Sequence, residues 1–150
     1  TSFVQHLLDV EQLVPLSRHT VLRLRGIAGG GTGDDLPLHR QFFLGGIHLS
    51  PAFGETQPIF WGLEPQERAG TAVHVARISL QREILRDVFA TVGVNVGNAF
   101  ERWAPSEFEY IVGWGASLGL ATPIGPIEAT LSGRNLDDWP TFSLNIGPAF

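Results

Sequence analysis

TAVHVARISLQREIL, residues 71–85, is the stretch on which the reading of this chain turns. Ala76, Ile78, Leu80 and Ile84 alternate with Arg77, Ser79, Gln81 and Glu83. Successive side chains of a strand point to opposite faces, so this alternation makes one side greasy and the other wet.

The same period of two recurs along the chain. In HTVLRLRGIAGG, Leu22, Leu24 and Ala28 oppose Arg23 and Arg25. In DVFATVGVNVGN the greasy face is Val88, Ala90, Val92, Val94 and Val96, against Thr91, Gly93, Asn95 and Gly97. EYIVGWGASLGLA places Tyr110, Val112, Trp114, Ala116, Leu118 and Leu120 on one face and Gly113, Gly115, Ser117 and Gly119 on the other. TFSLNIGPAF sets Phe142, Leu144, Ile146, Pro148 and Phe150 against Ser143, Asn145 and Gly147. FVQHLLDVEQLV, HRQFFLGGI and GPIEATLSG are weaker candidates, which brings the expectation to about eight strands.

The connecting segments are rich in turn formers: GGGTGDDLP, SPAFGETQPIFWGLEPQERAG, ERWAPSE and RNLDDWP. The second is unusually long, and a structureless segment of such length inside a compact domain is usually functional. Residues 46–69 carry Phe53, Phe60 and Trp61 among glycines and prolines. Two readings stand side by side: an outer loop packed on itself, or a loop that folds back and braces the interior through those aromatic rings.

Composition narrows the function classes. The length of 150 residues suits one domain, residues 1–150, and a hydrophobic fraction of 43% is enough to fill a core. There is no cysteine, so disulfide, thiolate and cysteine-metal chemistry are excluded. A net charge of −5 argues against a nucleic-acid partner, which would select a basic stripe. The histidines show no metal-ligand spacing, and no cofactor site is read from the sequence. No apolar run is long enough for a transmembrane helix, and the first residues TSFVQHLLDV lack the charged start and apolar stretch of a signal peptide. Glycine (18), proline (10), tryptophan (4) and phenylalanine (10) against one tyrosine suit short strands and turns better than helices.

Two motifs invite catalytic readings. GASLG matches the G-x-S-x-G pattern of a nucleophile elbow, but Pro123 and Pro126 prevent a helix from following Ser117, and every histidine precedes it. Ser117 therefore reads as a small strand residue and the segment as non-enzymatic. GIAGGGTGDD lacks the Gly-Lys-Ser/Thr ending of a phosphate loop and reads as a hairpin turn. Asp137 and Asp138 belong to a solvated turn before the last strand.

The polar faces are mostly small (Gly, Ser, Thr, Asn) with isolated charges, while the greasy faces are uniform and end in aromatic residues. That is the alternation expected when the apolar side meets lipid and the small side lines a lumen. The expected fold is all-β, an antiparallel transmembrane β-barrel.

Four motifs in order carry a family resemblance. TPIGP (Thr122, Pro123, Gly125, Pro126) after a glycine-rich strand, and a closing strand ending in Phe150, resemble the last strands of the BamA-type bacterial surface-antigen superfamily of outer-membrane barrels. FFLGG, with Gly45 and Gly46, is similar to the motif before that superfamily's long loop, and VNVGNAF to its D-x-G-N-x-W strand end, with Asn95 where Asp is common. The long loop of insertion and translocation members carries Arg-Gly-Tyr/Phe; here Trp61 and Gly62 stand there without an arginine. In that respect the chain is most similar to the barrels behind patatin-like phospholipase domains.

The resemblance implies the C-terminal half of a sixteen-stranded barrel, a fragment of a longer chain, in the outer membrane of a Gram-negative cell. It implies three partners: outer-membrane lipid, the barrel-assembly machinery, and an N-terminal domain of the same parent chain that the barrel anchors, displays or helps translocate. Phe142, Leu144, Ile146 and Phe150 would form the terminal strand that assembly recognises, and Gly45, Gly46, Trp61 and Gly62 the long-loop motif. Rival readings are an assembly or secretion barrel, a closed eight-stranded barrel and a soluble β-sandwich binding module.

Overall fold

The computed structural model describes residues 3–32, 40–46, 58–102 and 108–147. Its strands are β1 (Val4–Ser17), β2 (Thr20–Thr32), β3 (Phe42–Leu44), β4 (Arg68–Gly70), β5 (Ala72–Leu85), β6 (Val88–Phe100), β7 (Ile111–Thr122), β8 (Gly125–Gly133) and β9 (Thr141–Ile146). One seven-stranded sheet runs in the order β1-β2-β5-β6-β7-β8-β9, and β3 pairs with β4 in a separate ribbon. Every pairing is antiparallel. The large sheet is open, with β1 and β9 as its edges.

The two ends of the sheet differ. At one end the strands reverse through two residues: Arg18 and His19, Arg86 and Asp87, and Pro123 and Ile124. In the last of these, Gly125 takes a φ of 119°, a backbone conformation that favours glycine, and its carbonyl accepts a hydrogen bond from the Thr122 hydroxyl. TPIGP is therefore the β7–β8 turn. At the other end the connections are the longer segments 33–71, 101–110 and 134–140.

The period of two in the sequence becomes two faces. Across the sheet, Val14, Leu22, Leu80, Val92, Ala116, Leu131 and Phe142 stand in register as one apolar row. One residue further along each strand, Pro15, Val21, Gln81, Thr91, Ser117, Thr130 and Ser143 form a row of mostly small polar groups on the opposite, inner face. The outer row is uncovered: Val92 is 53% exposed and Phe142 63%. On the inner face the charges pair, Asp9 with Arg25 at 2.9 Å and Glu11 with Arg23 at 3.3 Å.

The core lies on the inner side. Phe42, Leu44, Phe60 and Leu63, from the segment between β2 and β5, pack on Ile27, Val73 and Val75 of the sheet. Burying each large side chain contributes roughly 1.5–3 kcal/mol. Without this layer the inner face would be bare.

Two expectations change. HRQFFLGGI is not a strand of the large sheet: Phe42 and Leu44 are both fully buried and only three residues are extended before Gly45 and Gly46 turn at φ of 127° and 86°. The large sheet therefore has seven strands where about eight were expected. In GIAGGGTGDD, the glycines to Gly31 belong to β2 rather than to a turn, because Gly29 leaves room for the Phe42 ring, whose Cζ would stand 2.7 Å from an added Cβ. Phe53 and Phe150 lie outside the described residues.

The ribbon crosses the sheet closely at Gly70, where an added Cβ would lie 2.2 Å from the Phe100 carbonyl oxygen. Gly70→Ala is expected to lower stability by about 1–3 kcal/mol through overpacking, read as a lower unfolding midpoint by circular dichroism of the strands. An unchanged midpoint would mean that β4 does not lie against β6.

Candidate functional site

The inner face carries glycine at alternate positions of two neighbouring strands, Gly93 and Gly97 on β6 and Gly113 and Gly115 on β7. Removing side chains there opens a groove, and a glycine inside a strand often marks the close approach of another backbone. Trp61 occupies it. A Cβ on Gly115 would stand 2.4 Å from the indole Cδ2, one on Gly93 2.8 Å from Cζ3, and one on Gly113 1.7 Å from the Trp61 carbonyl oxygen.

Asn95, 1% exposed, fixes the backbone of the same residue. Its side-chain oxygen accepts the Trp61 N–H at 2.9 Å, and its Nδ2 donates to the Trp61 carbonyl at 3.1 Å. A carboxamide is the side chain that offers one acceptor and one donor side by side, so a single residue satisfies both polar groups of a strap lying across a sheet rather than along it.

Arg77 stands opposite Asn95 on β5. Its guanidinium lies over the indole, 4.7 Å from the ring centroid, and donates to the Ile59 carbonyl. A desolvated cation–π contact of this kind contributes on the order of 2 kcal/mol.

The residues flanking Trp61 close the strap on itself. Phe60 N–H donates to the Gly46 carbonyl at 3.0 Å and Gly46 N–H to the Leu63 carbonyl at 3.0 Å. Gly62 has a φ of 89°, and a Cβ there would meet the Gly133 carbonyl oxygen at 2.6 Å. Gly45, Gly46, Trp61 and Gly62, distant in sequence, therefore sit in one knot over β6, β7 and β8. A second tie follows: the Glu67 carboxylate accepts from the Glu64 N–H at 2.9 Å and from Arg134 in the β8–β9 connection. Partial burial pushes the Glu67 carboxyl up, but the Glu64 N–H and the Arg134 guanidinium outweigh it and hold it below its ordinary value.

Phe142, Leu144 and Ile146 are on the outer face of β9, 63%, 56% and 64% exposed, on the side of the sheet opposite the strap. Ser117 lies in the inner row between Thr91 and Thr130. Among the described residues, no three His, Asp or Glu side chains come together to hold a metal ion. What the arrangement does chemically is clamp a strap against a sheet.

Sequence reasoning singled out Trp61 and its glycines, and quoted Asn95 and FFLGG as motif positions, but it gave Asn95, Arg77, Phe42 and Leu44 no part in holding the strap. The available signal was the glycine at alternate inner positions of VGVNVGN and VGWGASLG, which marks a surface meant to be covered. No family model and no curated protein sequence matches the chain.

Replacing Asn95 by Ala leaves the Trp61 peptide buried without partners, at a cost of about 1–3 kcal/mol. With Trp103, Trp114 and Trp139 changed to Phe, Trp61 emission should shift to the red in Asn95→Ala and stay in place in Ser117→Ala. At low pH a second loosening is expected. A carboxyl whose folded pKa is depressed stabilises above its unfolded pKa and loses that contribution as pH falls through the folded value. The segment around Glu67 should therefore lose amide-exchange protection, taken relative to the intrinsic rate at each pH, as pH falls below the ordinary carboxylate range, and Glu67→Gln should remove that pH-dependent loss.

Proposed function

We propose that this chain is part of the wall of a Gram-negative outer-membrane β-barrel, whose work is to span the bilayer and anchor an N-terminal domain of its parent. The observation that carries this reading is the outer face. Rows of Leu, Val, Ile, Ala and Phe run across all seven strands, and among the described residues nothing packs over them, while the small and polar residues are turned inward under a strap. A soluble sheet buries its apolar side and wets its polar one, whereas a lipid-facing wall does the reverse.

Three further features support it. The strands β1, β2, β5, β6 and β7, at 12 to 14 residues, exceed the 9–11 or so that a tilted strand needs to cross a bilayer. The two-residue turns at one end and longer segments at the other follow the usual asymmetry of periplasmic turns and outer loops. At the loop end, His74, Phe100, Phe108 and Tyr110 cluster, with Phe100 and Phe108 centroids 4.4 Å apart, in the place of an aromatic girdle.

An open sheet leaves unpaired backbone groups in lipid, so the reading requires further strands to pair with β1 and β9. The resemblance to barrels behind patatin-like phospholipases would supply both those strands and the anchored domain. The strap would brace the lumen. On this reading the segment itself catalyses nothing.

Refolding of the complete parent barrel, which supplies the strands that pair with β1 and β9, into lipid vesicles tests the proposal, with insertion measured by protease protection. Val94→Arg places a charge on the lipid face in the middle of β6, at a cost of about 2–4 kcal/mol near the midplane. It should cut the inserted fraction sharply, while Thr91→Arg on the inner face should insert. Leu144→Asp should block outer-membrane assembly of the parent. A chain that stays monodisperse in buffer without detergent would overturn the reading in favour of a soluble module.

A further inference from the structure

Two of the tight turns are neighbours, because β2 pairs with β5: the β1–β2 turn holds Arg18 and the β5–β6 turn holds Arg86. Between them, Arg82 stands opposite Thr20. It continues the outer parity of Ala76, Ile78 and Leu80, so it faces the same way as the apolar rows and is exposed. Three arginines thus mark one corner of the outer face, just where its apolar surface ends.

The carboxylates nearby are otherwise engaged. Glu83 has inner parity; one oxygen meets His19 Nδ1 at 3.1 Å and the other accepts the Asp87 N–H at 3.4 Å. Asp87 lies 3.9 Å from Arg86, with both side chains largely in solvent, a contact worth little. Among the described residues, Arg18 and Arg82 make no ion pair. Interleaved with the arginines are Leu16, Ile84 and Leu85, 57%, 49% and 68% exposed.

Cations at a lip with bare aliphatic side chains between them fit an amphiphile, with acyl chains against the leucines and an anionic head against the guanidiniums. Arginine stems lie along apolar surface while their planar forks meet phosphate oxygens two at a time. A free phosphate would leave Leu16, Ile84 and Leu85 without a role. At the loop end Arg134 is tied to Glu67, and Arg40, Arg68 and Arg102 stand among the exposed Glu64, Glu101, Glu109, Asp137 and Asp138, so that end offers an anionic head less net positive charge.

We propose that Arg18, Arg82 and Arg86 form a headgroup site for an anionic phospholipid at the turn end of the sheet. This rests on the membrane reading above and names the lipid class that the wall selects.

The test uses the complete parent barrel inserted in mixed bilayers with spin-labelled phosphatidylglycerol or phosphatidylcholine, reading the motionally restricted fraction of each. Wild type should enrich phosphatidylglycerol over phosphatidylcholine about fivefold at low salt. The preference should shrink at high salt, vanish in the triple variant R18Q/R82Q/R86Q and persist in Arg68→Gln. An inserted wild type without preference, a triple variant that keeps it, or its removal by millimolar inorganic phosphate at constant ionic strength overturns the site while leaving the membrane reading intact. Failure of the wild type to insert overturns both.

Discussion

The Trp61 peptide, gripped on both sides by the Asn95 carboxamide, is the contact on which the inner half of the structure depends. A strap crossing a sheet at an angle cannot join its ladder, so its N–H and C=O need partners from side chains. Asn95 supplies both, the glycines of β6 and β7 let the indole approach, and Arg77 closes over the ring. Held there, the strap carries Phe60 and Leu63 onto Ile27, Val73 and Val75, and so gives the inner face its apolar layer.

That arrangement inverts the usual economy of a sheet. Its small and polar face carries the covering strap, and its mainly apolar face is the exposed one. The hydrophobic effect would not leave rows of Val, Leu and Phe in water across seven strands. The proposed lipid contact follows from this inversion more than from any single residue. The arginines at the turn end then sit where apolar surface gives way to a charged boundary.

The strands were legible in advance because alternation is a local property. Ile78 and Arg77 reveal opposite faces whatever lies around them, and β5, β6, β7 and β9 were read with their faces correctly assigned. FFLGG misled because consecutive apolar residues carry no period; Phe42 and Leu44 belong to the β3–β4 ribbon and are buried against the large sheet, not aligned within it. The clamp was illegible for a different reason. Trp61 and Asn95 are 34 positions apart, and nothing in the neighbourhood of either residue names the other.

By itself the sequence determined an all-β chain, the two-faced character of each long strand, and the turn at TPIGP, since each depends on neighbours a few residues away. Only the tertiary structure decided which strands share a sheet, that β3 and β4 leave it, and that the glycine face is filled by Trp61. It also brought Arg18, Arg82 and Arg86 to one corner, through the pairing of β2 with β5. Register between distant strands is set by what packs on each face and by the turns that join them, and those are relations between segments that no single segment contains.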